Sequence, residues 1–424
     1  MYSHDALTEQ QQIDALYEAA RLELATPSDS PALMQGFPPA PELRVTWDNW
    51  MRLPYSRWGF RHLNRLRPNI EVPAGRTPVR ELPEAPIDLG DLSFTSACGR
   101  EVRVAEVLCA TNTDAFVVLK GGKLVYERYF AGQQASDRHI MFSVTKSLIG
   151  TLAEQLIGDD LLDPQARADR YVPEFEGSAF ADASVRELMD MAVGIEYSEQ
   201  YDDPASESSQ YGYACGFQPA PSAYSKYHSL YEYLPTLRKQ GEHGGLFHYV
   251  TACTEALAWV MERASGRSCA DMLTGIWSRM GAEHSGYFLA DPWGRSVCGA
   301  GFNATARDMA RFGLLLAEGG RFNGEQLIGT DTISRIAGGS DPAIYAQDED
   351  FHSWVPGASY KSQWYVSNHD SQSLMAGGIH GQYLFIDFPA QVVIVKQSSL
   401  PDAVGLLDTD SVRLLKAIAA HLKQ

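Results

Sequence analysis

The chain predicts an α+β protein: a central antiparallel sheet drawn from both ends of the main body, flanked by helices, with a mostly helical domain inserted between. Three observations carry this. β-Rich runs cluster at 115–130 and again at 362–397, the sequence between them has mostly helical spacing, and the first hundred residues are Pro-rich and aromatic. With 424 residues, the chain exceeds the roughly 250–300 at which a single hydrophobic core stops growing, so two lobes are expected. The division these patterns suggest is an N-terminal extension at 1–104 wrapping the body, a sheet domain built from 105–165 and 300–424, and a helical insertion at 166–299.

Taken in order, residues 13–24 have helical spacing, followed by an aromatic cluster (Trp47, Trp50, Tyr55, Trp58, Phe60) and an extended stretch through Pro83 and Pro86. Runs 115–120 (AFVVLK) and 123–130 (KLVYERYF) flank Gly121-Gly122, which tolerates the positive φ of a tight turn, and so predict a hairpin. Residues 143–157 read as a helix. Another is expected at 184–191, where Ser184 and Glu187 form a capping-box pattern, and a third at 254–264 ahead of Gly266. A helix over 305–318 should end at Gly319-Gly320. Strands are expected at 362–367, 383–388 and 391–397, and a closing helix at 411–422.

Charge narrows the function classes. Lys plus Arg minus Asp plus Glu is 35 − 53 = −18, a surplus that repels phosphate backbones and anionic membranes, so neither nucleic acid nor membrane is an expected partner. The six cysteines are scattered with no CxxC pair, and no HExxH, GxGxxG or Walker sequence occurs. No metal and no organic cofactor is expected. The N-terminal residues lack the basic and apolar regions of a signal peptide, and no apolar run approaches the roughly 20 residues of a membrane span. A soluble, cytoplasmic protein is the expectation, with oligomerisation left open.

One motif suggests chemistry. Ser143-Val144-Thr145-Lys146 is the only Ser-x-x-Lys in the chain and opens a predicted helix. Positions three apart share a helix face, which sets Lys146 beside the Ser143 hydroxyl. Free N–H groups of the first turn and the positive dipole end would favour an anionic oxygen there, and burial would lower the Lys146 pKa until its amine can accept a proton. The same residues also fit a plain helix cap and a solvated lysine. Tyr249, in GGLFHY before a helix, is a candidate proton relay, although it could equally be aromatic filler. The glycines of Ala376-Gly377-Gly378-Ile379-His380-Gly381-Gln382 allow an N–H there to face a substrate carbonyl, but also suit an ordinary turn. His380 reads as a pocket residue rather than a general base.

Together, DAFVVLKGG from Asp114, DRHIMFSVTKSLIGTL from Asp137, DPASE from Asp203, GGLFHY from Gly244, TARDMARFG from Thr305 and GGIHGQ from Gly377 resemble the penicillin-recognising serine hydrolases. Within them the chain is most similar to the class C β-lactamase-like branch that holds the 6-aminohexanoate-dimer hydrolases and their carboxylesterase relatives. The resemblance implies a β-lactamase/transpeptidase-like fold and a serine hydrolase acting on a small-molecule ester or linear amide without a cofactor. It makes Ser143 the nucleophile, Lys146 its base partner and Tyr249 the relay, with the N–H groups of Ser143 and Ile379 as oxyanion hole. Tyr201 would bind the substrate amide, and Thr251 and His380 would line the substrate site.

Two departures qualify it. Thr251 stands where the family's tyrosine motif has Asn or Ser, and Ala376-Gly377-Gly378 replaces Lys-Thr-Gly, removing the lysine that pairs with a β-lactam carboxylate. An aspartate that strengthens oligomer binding in some dimer hydrolases is matched by Gly212. Asp202 and Asp203 are expected near the mouth, where they could attract an ammonium, and aromatic residues between Tyr201 and Tyr233 are expected to line the acyl pocket. The competing readings are a β-lactamase or D-Ala-D-Ala peptidase, and a catalytically silent binding module of the same fold.

Overall fold

The expected hairpin forms as strands β1 (Thr113–Lys120) and β2 (Lys123–Tyr129), turning through Gly121 and Gly122 at φ 53° and 75°. In this computed structural model, which describes residues 8–27, 32–201, 203–369 and 371–423, five later strands join it: β3 (Ser359–Lys361), β4 (Trp364–Ser367), β5 (Ser373–Gly378), β6 (Gln382–Asp387) and β7 (Val392–Ser398). The seven run antiparallel in the order β3-β4-β5-β6-β7-β1-β2, so the seam between β7 and β1 unites the two ends of the body, with Val392 opposite Lys120. β1, β6 and β7 are buried almost throughout, which explains their near-continuous apolar runs.

Helices cover the sheet. Ala306–Ala317, capped by the Thr305 side chain, packs on β7, β6 and β1, while Val144–Gly158 packs on β5, β4 and β6. Gly313 lets the first of these lie close: a Cβ there would meet Val393 at 2.6 Å. The outer edge of β2 is covered by the Pro-rich segment. Ala85 and Ile87 donate to the Leu124 and Val125 carbonyls (2.9 and 2.7 Å), and Leu124 donates to Pro83. Prolines cannot sustain a central strand but suit such an edge.

A second, four-stranded antiparallel sheet of Asn69–Val72, Gly286–Leu289, Phe302–Ala304 and His139–Ile140 ties the N-terminal segment to the body and ends just before Ser143. Between the sheet-forming halves lie mainly helices, including Val185–Met189 with the capping box of Ser184 and Glu187, Glu207–Ala214 and Thr251–Ser265. Buried apolar side chains from Ile13 to Leu422 form one contiguous cluster. Among the described residues no helix is long and apolar enough to cross a membrane.

Three local expectations need correction. Ser362 and Gln363 do not begin a strand; they make the turn between β3 and β4 at φ 49° and 65°. Neither residue type marks such a turn, but Asp190 accepts from the Ser362 N–H (2.9 Å) and Met189 from the Gln363 N–H (3.0 Å), holding it from outside. Ala376-Gly377-Gly378 ends a strand, β5, that the sequence did not suggest, and the turn falls on the residues after it. The helix expected from 254 starts at Thr251, directly behind Tyr249 and Val250.

Candidate active site

Ser143 stands where the short strand His139–Ile140 gives way to the helix Val144–Gly158. The preceding Phe142 takes φ 42°, a conformation that costs a side-chain-bearing residue and is held by its ring contacts with Phe60 (5.2 Å) and His380 (5.2 Å). The Ser143 hydroxyl caps nothing. Nor are the first-turn N–H groups free, as the sequence suggested: those of Val144, Thr145 and Lys146 donate to Met141, Phe142 and Ser143 carbonyls. The turn that exposes Ser143 uses them itself.

Lys146, 1% exposed, donates from Nζ to Ser143 Oγ (2.8 Å) and to the Gly299 carbonyl (2.8 Å). Burial pushes its amine down to about 8, while Glu199 and Glu255 act in the opposite direction. Gly299 is held in turn, its N–H donating to Glu255 Oε1 (2.7 Å). The fully buried Glu255 also accepts from Arg295 (2.8 Å) and Tyr211 Oη (3.0 Å). A Cβ on Gly299 would crowd Thr251, Tyr211 and Glu255 at 2.8–3.1 Å, so a side chain there would displace the groups that hold this layer together. This second layer escaped the sequence reading, because Glu255 is unremarkable within its helix and its partners lie some forty residues away.

Tyr249 comes from the loop ahead of Thr251–Ser265, with Lys146 Nζ 5.1 Å from its ring centre. Burial pushes the phenol well up; interaction with the Ser143 hydroxyl works against that shift. Opposite, the end of β5 approaches so closely that a Cβ on Gly378 would sit 2.8 Å from the Met141 carbonyl and 3.0 Å from the Ser143 nitrogen. This brings Ile379 beside Ser143, and neither residue's N–H has an acceptor among the described residues. Both residues line the same two cavities, where N–H groups without an internal acceptor are available to a bound oxygen.

His380 is not free to act on a substrate through Nδ1, which donates to the Leu400 carbonyl (2.7 Å). Burial pushes its pKa down to about 4, leaving it neutral. Gln382 Nε2 donates to the His380 and Ser398 carbonyls (3.0 and 2.7 Å), fixing the same turn.

Two cavities, of about 570 and 560 Å3, meet at Ser143, Glu199, Tyr201 and Ile379. Thr251, His380, Tyr211 and Gly212 line the first, and a Cβ on Gly212 would meet only Gln218 at 3.5 Å, so this wall has room for a side chain. Glu199, which no motif flagged, accepts from Tyr201 Oη (2.6 Å) and from the Thr251 N–H (2.6 Å), and so couples these two site residues. Asp203 instead accepts from the Ala205 N–H (2.9 Å) and lines neither cavity, contrary to expectation; Asp202 lies outside the described residues. Among the described residues no group of three His, Cys, Asp or Glu is placed to hold a metal ion.

Comparison with known proteins identifies the family of the chain. A profile of the Beta-lactamase family matches residues 108–416. The chain is 36% identical over 368 residues to a 6-aminohexanoate-dimer hydrolase of Paenarthrobacter ureafaciens, covering 86% of this chain and 91% of that one. A solved structure of a candidate 6-aminohexanoate-dimer hydrolase from Bacillus anthracis superposes with a TM-score of 0.82 at 31% identity, over 91% of this chain and 99% of the other. EstCE1, a hydrolase with promiscuous acyltransferase activity, shares the fold at TM-score 0.56 and 16% identity, over 74% and 94% of the respective chains.

Proposed function

The chain belongs to the β-lactamase family of hydrolases, and from that premise we propose that it cleaves ester or linear amide bonds through an acyl-enzyme on Ser143. One observation carries the reading: a buried lysine amine, pushed down to about 8, lies 2.8 Å from a serine hydroxyl that opens onto two cavities. At pH 7 about a tenth of such amines are neutral and able to take the serine proton. The Tyr249 phenol, pushed up by burial, stays protonated and serves as donor rather than base. Ser143 Oγ attacks the carbonyl carbon as Lys146 takes its proton, and the N–H groups of Ser143 and Ile379 receive the oxyanion. Collapse breaks the bond to the leaving alcohol or amine, which takes a proton from Tyr249 as the protonated Lys146 amine passes the serine proton on to the Tyr249 oxygen. Water then attacks the acyl-serine, releasing the acid.

The linear-amide part of the substrate class follows the relatives named as 6-aminohexanoate-dimer hydrolases, and small esters are proposed beside it because the same acyl-enzyme chemistry cleaves them. Turnover of p-nitrophenyl acetate and of 6-aminohexanoate dimer, together with fluorophosphonate labelling, tests it. Labelling with ester turnover is the expected result. Absence of both would leave a binding module of the same fold.

Tyr249→Phe should separate the roles further. An amine must be protonated to leave, whereas a p-nitrophenolate departs unaided, and a positioned general acid is worth about 10²–10⁴-fold. A defect in that range on amides, and a visibly smaller one on the aryl ester, is expected. Equal losses on both would make Tyr249 an orienting residue only.

β-Lactams should be poor substrates. Among the described residues no Lys or Arg lines either cavity, and a Cβ on Gly377 would lie 2.4 Å from the Trp354 ring, so the indole occupies the space over that strand position. A carboxylate left unpaired there should slow nitrocefin hydrolysis at least about 100-fold relative to p-nitrophenyl acetate. Comparable rates would mean that another cation reaches the site.

A further inference from the structure

Tyr249 lines only one of the two cavities, the hollow of about 560 Å3 beside the end of β5. If Tyr249 gives its proton to the departing group, this hollow receives the leaving alcohol or amine, and the other cavity receives the acyl chain. Its walls are aromatic. Trp354 meets Tyr365 at 5.0 Å and 81°, and Tyr383 at 6.2 Å and 51°, so the rings face the space from several directions. Such rings attract an organic cation through their π faces.

Carboxylates complete the lining. Asp350 and Asp408 both border the hollow, and no lysine or arginine among the described residues does. Asp408 begins the closing helix, where its side chain accepts from the Gly405 N–H (2.8 Å). Burial holds its pKa up at about 6, with the Gly405 N–H and the charge of Lys396, which lies behind the lining rather than in it, acting in the opposite direction. Trp354, seated over Gly377, keeps the strand from presenting an anion-binding side chain at that position.

We infer that this hollow is a leaving-group subsite for an alkylammonium, so that acyl esters and amides of amino alcohols or diamines are better substrates than those whose departing half carries a carboxylate. The inference rests on the serine-hydrolase reading and adds to it the charge of the leaving half. The linear 6-aminohexanoate dimer departs with a carboxylate and falls in the disfavoured class. An aromatic-walled pocket that binds a neutral leaving group by shape alone would not distinguish a quaternary ammonium from its carbon isostere, which makes that pair the sharpest probe.

The test compares butyryl esters of choline, of 3,3-dimethylbutan-1-ol (its uncharged isostere) and of 4-hydroxybutanoate on the full-length protein. The expected order of kcat/KM is choline, then isostere, then carboxylate, with choline ahead of the isostere by roughly tenfold. Within Asp408→Asn, which keeps an acceptor for Gly405, and within Trp354→Leu, the choline-to-isostere ratio should fall toward one. Equal rates for choline ester and isostere, a faster carboxylate ester, or an unchanged ratio in both variants would overturn the inference, while fluorophosphonate labelling would still support the serine-hydrolase reading. Loss of labelling together with all three turnovers would overturn both.

Discussion

Ser143→Ala is expected to lower ester turnover by about 10⁶-fold, the scale seen when a nucleophile is removed from a serine hydrolase, and to abolish fluorophosphonate labelling. The variant should fold. Ser143 Oγ caps no helix, so alanine does not incur the roughly 1 kcal/mol that losing a capping side chain costs. Its hydroxyl interacts with Tyr249 and with Lys146, which keeps the Gly299 carbonyl as acceptor. Circular dichroism and thermal melting close to wild type, alongside lost labelling, are therefore the full expected result. Persistent labelling would falsify Ser143 as the nucleophile.

The second large effect concerns Lys146. Lys146→Ala should slow acylation by about 10²–10⁴-fold, the usual worth of a positioned base. Lys146→Arg should not restore it, because a guanidinium stays protonated at any pH the protein tolerates. Burial pushes the Lys146 amine down to about 8, and its neutral form is the active one. The wild-type acylation rate should thus rise with pH and level off above about 8, a rise that neither variant shows. Pre-steady-state bursts with p-nitrophenyl acetate across pH 6–10 measure this directly. An Arg variant that acylates at the wild-type rate would reduce Lys146 to a fixed positive charge.

Both experiments address residues that could be picked from the chain before any fold was known, and the reason is their spacing. Ser143 and Lys146 are three apart on one helix, so local geometry alone brings them together. The same is true of the Ser184–Glu187 capping box, the Gly121-Gly122 turn and the Thr305 cap, each an interaction closed within a few residues. Tyr249 and Ile379 required more: family resemblance selected them, since neither residue's neighbours say what it faces.

Short-range patterning therefore settled which segments became strand or helix across most of the chain and which serine had a lysine at its side. Packing decided the rest. Ser362 and Gln363 turn where the chain carries no turn signal, because Asp190 and Met189, some 170 residues away, hold their N–H groups. Glu199, Glu255, Arg295 and Gly299 became part of the site only when separate elements met, and a lysine that alone would titrate above 10 is brought near neutrality by the core closing over it. Contacts between distant segments and the loss of water around a charge exist only in the assembled fold, so no window of sequence can display them.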